Sequence, residues 1–334
     1  MSVRVRPAAL EGGYMMTLGD IYKLAMEMGV KADPRGAEGV KKFLARRKKE
    51  FEDLSASKKA EYDREDLVNP FSDSRIILGD KNLKVDKILA GIDIDASEVL
   101  LADRLNQKGE GIDLLLSHHP EGGPLAALHE VMDVQVDLMA NYGVPVNIAE
   151  GLMADRISEV QRRFSPVNHN QAVDTARLLG FAMMSTHTIT DNLVYQFLED
   201  VFHKNHCETV GEVLAQLKKI PEYREAMKGK AGPMIVAGSE KSRAGKVAPL
   251  DITGGTEPSA MVYEKLADAG VGTIIAMHMG EEHRKECVKH HINLVVAGHM
   301  SSDSLGMNLF LDEIEKHGVK IIPCSGLIRV KREK

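Results

Sequence analysis

The 334-residue sequence contains no tryptophan and only three cysteines. Cys207, Cys287 and Cys324 lie far apart and form no CxxC pair. That argues against a thiolate zinc site and a disulfide framework, and it points to a reducing, cytoplasmic setting. No apolar run approaches the roughly 20 residues a transmembrane helix needs, so no membrane association is expected. The opening MSVRVRPAALEGGYM has arginines but no apolar core. It reads as sequence ahead of a start at Met15 or Met16 rather than as a secretion signal. GxGxxG and GxSxG are absent, and GSEKSRAGKV (238–247) has neither the spacing of a phosphate loop nor a Ser or Thr after Lys246. A net charge of −6 supplies no drive toward nucleic acid. The RRKK run at 46–49, flanked by EFED, reads as a solvated helix face.

Against these absences stand thirteen histidines, and their value depends on position. Residues 17–66 read as helical: TLGDIYKLAMEMG has an N-cap at Thr17 and an apolar face of Ile21, Leu24, Ala25 and Met28. A second helix carries Val40, Phe43, Leu44 and Phe51, and VNPFSDSR (68–75) reads as a linker. From about residue 84, short apolar runs alternate with amphipathic helices, the pattern of an α/β fold with mainly parallel sheets. Expected strands are 87–93, 113–119, 144–149, 181–187, 233–238, 246–252, 272–279, 293–299 and 319–324. Expected helices include 97–109, 258–270 and 304–318, each stopping at a glycine. Two blocks of strands suggest two lobes, and the likeness of DLLLSHH to NLVVAGH raises a diverged duplication.

Four of these strands end in histidine: DLLLSHH, FAMMSTH, GTIIAMH and NLVVAGH. In parallel sheets, ligands collect beyond the carboxyl ends of the strands, so residues distant in sequence converge there. His187 is followed four residues on by Asp191, and His299 by Asp303. Imidazoles with carboxylates form a borderline-to-hard ligand set suited to Zn, Mn, Fe, Co or Ni. His118, His119, His187, Asp191, His299 and Asp303 exceed what one tetrahedral ion needs, which favours two divalent ions and a bridging carboxylate. Adjacent side chains on an extended backbone diverge, so His118 and His119 can serve different ions. His278 and His283 share the strand-end placement but have no carboxylate at a matching spacing. The remaining histidines have no partner that spacing identifies. DITGGTEPS (251–259) reads either as a phosphate-binding turn or as a plain strand-to-helix turn.

KILAGID, DLLLSHHP, HTITD and GHMSSD, in that order, resemble the NGG-one-interacting-factor-three-like family, whose bacterial members are often described as type 2 homologues of GTP cyclohydrolase I. The resemblance spans roughly residues 84–330. It implies a two-lobe, three-layer α/β/α fold with a metal site between the lobes. The corresponding division is a helical extension at 1–80, a first lobe at 81–205 and a second at 206–334. It also implies that His118, His119, Asp191, His299 and Asp303 ligate a pair of divalent metals, with His187 a further ligand or an acid–base group. Family members tend to form hexamers, so a homo-oligomer is expected. Asp303 departs from the family's usual glutamate, EGGP follows HHP where apolar residues are common, and the stretch 151–180 adds chain. The expected function is a cytoplasmic metal-dependent hydrolase acting on a small nucleotide-like substrate such as GTP, with His187 and Asp303 moving protons. A dinuclear phosphoesterase is a competing enzyme reading, and a non-catalytic metal-binding or regulatory scaffold protein is the alternative from another class.

Overall fold

The computed structural model describes residues 15–332, and the opening stretch ahead of Met15 lies outside them. Among the described residues nine strands form two sheets: β1 (Ile76–Leu78), β2 (Lys87–Gly91), β3 (Leu114–Ser117), β4 (Ala182–Ser185) and β9 (Lys320–Cys324) in one, with β5 (Met234–Ala237), β6 (Lys246–Asp251), β7 (Val271–Ala276) and β8 (Asn293–Val296) in the other. The orders are β1-β4-β3-β2-β9 and β5-β8-β7-β6, parallel except for β1 and β5 at the edges.

The continuous apolar runs follow from burial on both faces, as parallel sheets require. Ile88, Leu114, Leu116 and Met184 point to one side, against Ile21 and Ala25 of the helix Leu18–Ala32 and Phe310 and Leu311 of the helix His299–Glu315. Their neighbours Leu89, Leu115 and Met183 point to the other, against Val99 and Ala102 of the helix Ala96–Gln107 and Ala172 and Ala176 of the helix Gln171–Leu179. This alternation places helices on both faces of the sheet, and the protein has a three-layer α/β/α fold with mainly parallel sheets.

Three expectations need correction. VPVNIA (144–149) is not a strand: Pro145 caps the helix Val146–Phe164, whose buried Ala149, Met153 and Val160 follow a helical spacing. VNPFSDSR is no solvated linker, because Asn69, Phe71, Ser72, Asp73 and Ser74 are all buried. The lobes do repeat one strand order, β1-β4-β3-β2 and β5-β8-β7-β6. In that repeat NLVVAGH (β8) answers to FAMMSTH (β4), not to DLLLSHH (β3). Within the first sheet β1 forms an edge, and the chain returns from the second sheet to add β9 beside β2. The RRKK segment is a solvated helix face with one exception: Arg47 folds back over the Phe43 ring and pairs with Glu130 at 3.4 Å.

The helices His187–Lys204 and His299–Glu315 start straight after β4 and β8 and pack against each other. Gly306 makes that approach possible: a Cβ there would lie 2.3 Å from the Thr190 carbonyl oxygen. With no side chain at the crossing, the first turns of the two helices meet, and so do Asp191 and Asp303.

A candidate metal centre at the strand ends

His118 and His119 sit just past β3, where their backbone N–H groups donate to the carbonyls of Gly91 and Ile92. His187 and His299 open their helices, and Asp191 and Asp303 lie one turn further on. All six residues expected from the sequence converge. His118 Nε2 lies 3.5 Å from Asp191 Oδ1 and 3.4 Å from Asp303 Oδ1. On the other side of Asp303, Oδ2 lies 3.5 Å from both His119 Nε2 and His299 Nε2. His187 Nε2 faces Asp191 Oδ2 at 3.8 Å.

These separations exceed ordinary hydrogen bonds. They match the distance between two donors on one ion: bonds of about 2.1 Å in tetrahedral geometry set their donors about 3.4 Å apart. The second observation is sharper. Asp191 Oδ1 and both oxygens of Asp303 are buried with no hydrogen-bond partner. Buried carboxylate oxygens are costly to leave unmatched, and a cation is what this set of donors can match. Three groups of donors at this centre lie close enough to hold an ion: His118, Asp191 and Asp303; His119, His299 and Asp303; and His118, His119 and His187, with Asp303 a member of two of them. The shorter Asp303 therefore reaches both histidine sets although it lacks the extra methylene of glutamate.

The outer contacts aim the imidazoles inward. His118 Nδ1 donates to Thr190 Oγ1 at 2.9 Å, because that hydroxyl spends its own proton on the Thr186 carbonyl at 2.7 Å. His119 Nδ1 meets Asp93 Oδ1 at 2.7 Å, and His187 Nδ1 meets Asp73 Oδ2 at 2.8 Å. Thr188 donates to the same Asp73 oxygen at 2.6 Å. With Nδ1 protonated, each Nε2 turns a lone pair to the centre, the usual arrangement around ligating histidines. Burial drives His118 down to about 4, so its ring is neutral and its lone pair available. Burial also pushes Asp191 well above the ordinary carboxyl range, with Asp303 and Asp73 adding repulsion. Asp73 and Thr190 were not anticipated from sequence. Asp93 ends the segment KILAGID, and that strand-end aspartate was its only local signal.

The centre opens into a narrow pocket of about 30 Å³ whose far wall comes from the second sheet and includes Asp251, Thr253 and His278. DITGGTEPS lines it but does not cap a helix, since the next helix begins only at Val262. Gln135 Nε2 instead fixes this segment through the carbonyls of Gly254 and Thr256, at 2.7 and 2.5 Å.

No family model matches the chain, and no curated protein matches it. Solved structures do. A NIF3 superfamily protein from Sphaerobacter thermophilus superposes with a TM-score of 0.71 at 23% identity, covering 94% of this chain and 99% of that one. Reduced HcgD from Methanocaldococcus jannaschii superposes with a TM-score of 0.50 at 15% identity, covering 81% and 97%. The chain has the NIF3 fold. Among the described residues no helix is long and apolar enough to cross a membrane. On this NIF3 framework the strand-end donors are presented to a pocket bounded by both sheets.

Proposed function

We propose that the chain is a NIF3 family member that binds a pair of divalent metal ions and uses them as a hydrolase on a small, nucleotide-like substrate. The observation that carries this reading is Asp303, fully buried, with neither oxygen hydrogen-bonded and each facing a different histidine set. One ion is assigned to His118, Asp191 and Asp303 Oδ1, and the other to His119, His299 and Asp303 Oδ2. Divalent ions bound there supply Lewis-acid polarisation and water activation.

The chain's own residues supply the rest. Asp73 holds His187 by Nδ1, so Nε2 is the atom that accepts or returns a proton in the pocket. Asp303, expected to share that task, is better suited to holding metal, since each of its oxygens is buried and faces imidazole nitrogens at 3.4–3.5 Å without hydrogen-bonding to them. Thr256 lines the opposite wall and can position a polar substrate, whereas the neighbouring Thr253 hydroxyl is spent on Asn192 Oδ1 at 2.6 Å. A guanine nucleotide and a homo-hexameric assembly are the parts of this proposal that rest on the family resemblance.

The test is a turnover screen of metal-loaded protein with GTP, other nucleotides and simple phosphoesters. Metal-dependent product that falls at least about 100-fold in His187→Ala, with bound metal retained, supports the hydrolase and the proton role of His187. Bound metal without turnover on any of these substrates would contradict it and favour a metal-binding or regulatory scaffold.

A further inference from the structure

The second sheet carries a cluster of its own on the wall opposite the centre. Asp251 is the last residue of β6, His278 stands two residues beyond β7, and Glu257 lies in the loop after Asp251. In the repeated strand order β6 answers to β2 and β7 to β3. By register Asp251, paired with Ala276, answers to Gly91, paired with Ser117, so His278 stands where the first lobe has His119, Thr253 stands where it has Asp93, and the Asp251 carboxylate has no counterpart in the first lobe.

The contacts are not copied with the positions. In the first lobe Asp93 is spent on His119 Nδ1. In the second lobe Glu257 takes that part: its Oε1 lies 3.3 Å from His278 Nδ1 and accepts the Gly280 N–H at 2.7 Å. The other Glu257 oxygen faces His283 Nε2 at 3.7 Å, and His283 Nδ1 contacts the Tyr263 hydroxyl at 3.0 Å. Asp251 is left over. It is 8% exposed, lines the pocket, and has a buried Oδ2 with no hydrogen-bond partner. One donor atom each from Asp251, Glu257 and His278 lies within 4.8 Å of the other two.

An unmatched buried carboxylate oxygen beside a second carboxylate and an imidazole calls for positive charge. Two carboxylates and one imidazole, once the proton that Glu257 holds on His278 is displaced, balance a divalent ion, and the mixed oxygen and nitrogen set suits Mn²⁺, Fe²⁺ or Zn²⁺ rather than a soft ion. We infer that Asp251, Glu257 and His278 form a further divalent-cation site, separate from the centre at His118–His119 and facing it across the pocket. The rings of His278 and His299 are 4.7 Å apart, so the two sites border one cavity. Three protein donors leave coordination positions open toward that cavity, for water or for an anionic oxygen of whatever binds there. The site stands whether or not the protein is a hydrolase.

The test counts metal. Protein is stripped with chelator, reloaded with Mn²⁺, desalted, and its bound manganese per chain measured by mass spectrometry. The wild-type chain is compared with His118→Ala/His119→Ala, which disables the main centre, and each is combined with Asp251→Asn or His278→Gln. The expected result is that the double histidine variant still retains an ion, which disappears when either second-lobe substitution is added. In the otherwise wild-type chain each substitution lowers the count by one. His278 is partly exposed, so His278→Gln reads the site even if Asp251→Asn fails to fold. Manganese counts unchanged by His278→Gln in both backgrounds would overturn the inference. A main centre that proves empty would not, because the second site is read separately.

Discussion

Thr190→Val tests how the centre is held together, because it removes one atom's function and almost no volume. The Thr190 hydroxyl donates to the Thr186 carbonyl and can only accept from His118 Nδ1. Valine deletes that acceptor, and His118, 1% exposed, has no water to turn to. A buried donor left without a partner costs about 1–3 kcal/mol. The ring can escape by moving its proton to Nε2, but then Nε2 has no lone pair for a metal. Either way the cost falls on the ion assigned to His118, Asp191 and Asp303. At about 1.4 kcal/mol per decade the loss in affinity is roughly 5- to 150-fold. That brackets the roughly 10- to 100-fold typical for a removed outer partner of a ligand. The assay is a competition titration of chelator-stripped protein with Zn²⁺ or Mn²⁺. One class of site should weaken by that factor, while the class assigned to His119 and His299 keeps its affinity, since Asp93 still holds His119. Unchanged affinity in both classes would refute the argument that Thr190 sets the His118 tautomer.

Other outcomes follow from the same geometry. Burial raises the Asp191 carboxyl, so the folded metal-free chain binds a proton there that the unfolded chain has released. Metal-free stability must then fall as pH rises above the ordinary aspartate value of about 4. Stripped Asp191→Asn should accordingly melt higher than stripped wild type at pH 7, and the order should reverse when both are loaded with metal. Equal melting in both conditions would show that Asp191 is neither strained nor ligating. Gly306→Ala drives a methyl into the Thr190 carbonyl and should destabilise the fold by about 1–3 kcal/mol in a chemical denaturation series. Surviving folded protein should also bind metal more weakly, because Asp303 moves away from Asp191. Asp93→Ala should weaken the ion assigned to His119 about 10- to 100-fold and leave the His118 ion unaffected, read in the same competition titration.

The parts of the site that could be read from sequence were those marked by position within a local element. A histidine ending a buried strand, or an aspartate one turn into the next helix, carries its own coordinates once the strands are recognised. The parts that could not be read lie across the chain: Thr190 is 72 residues from His118, and Asp73 is 114 from His187. Asp73 was hidden further because VNPFSDSR has the composition of a loop, and nothing local says that Asn69 will fold it inward by donating to the Ser74 carbonyl. VPVNIA misled for the opposite reason. Its apolar residues alternate like a strand, while Pro145 stands at the N-cap and its carbonyl accepts the first helical hydrogen bond, from the Ala149 N–H at 3.1 Å. Asp251 was read as part of a glycine-rich turn because the glycines attracted the chemistry, and the carboxylate at the end of β6 did not.

The central claim is that Asp303 binds metal on both its oxygens. The most direct measurement is divalent metal per chain by mass spectrometry, on protein purified without chelator or a histidine tag. Wild type is set beside His119→Ala and Asp303→Asn. The account predicts divalent ions in wild type, loss of one on removing His119, and collapse of the whole centre in Asp303→Asn while the fold persists by circular dichroism. Metal content in Asp303→Asn equal to that of wild type would contradict it, as would wild type that holds none after reconstitution with Zn, Mn, Fe, Co and Ni in turn.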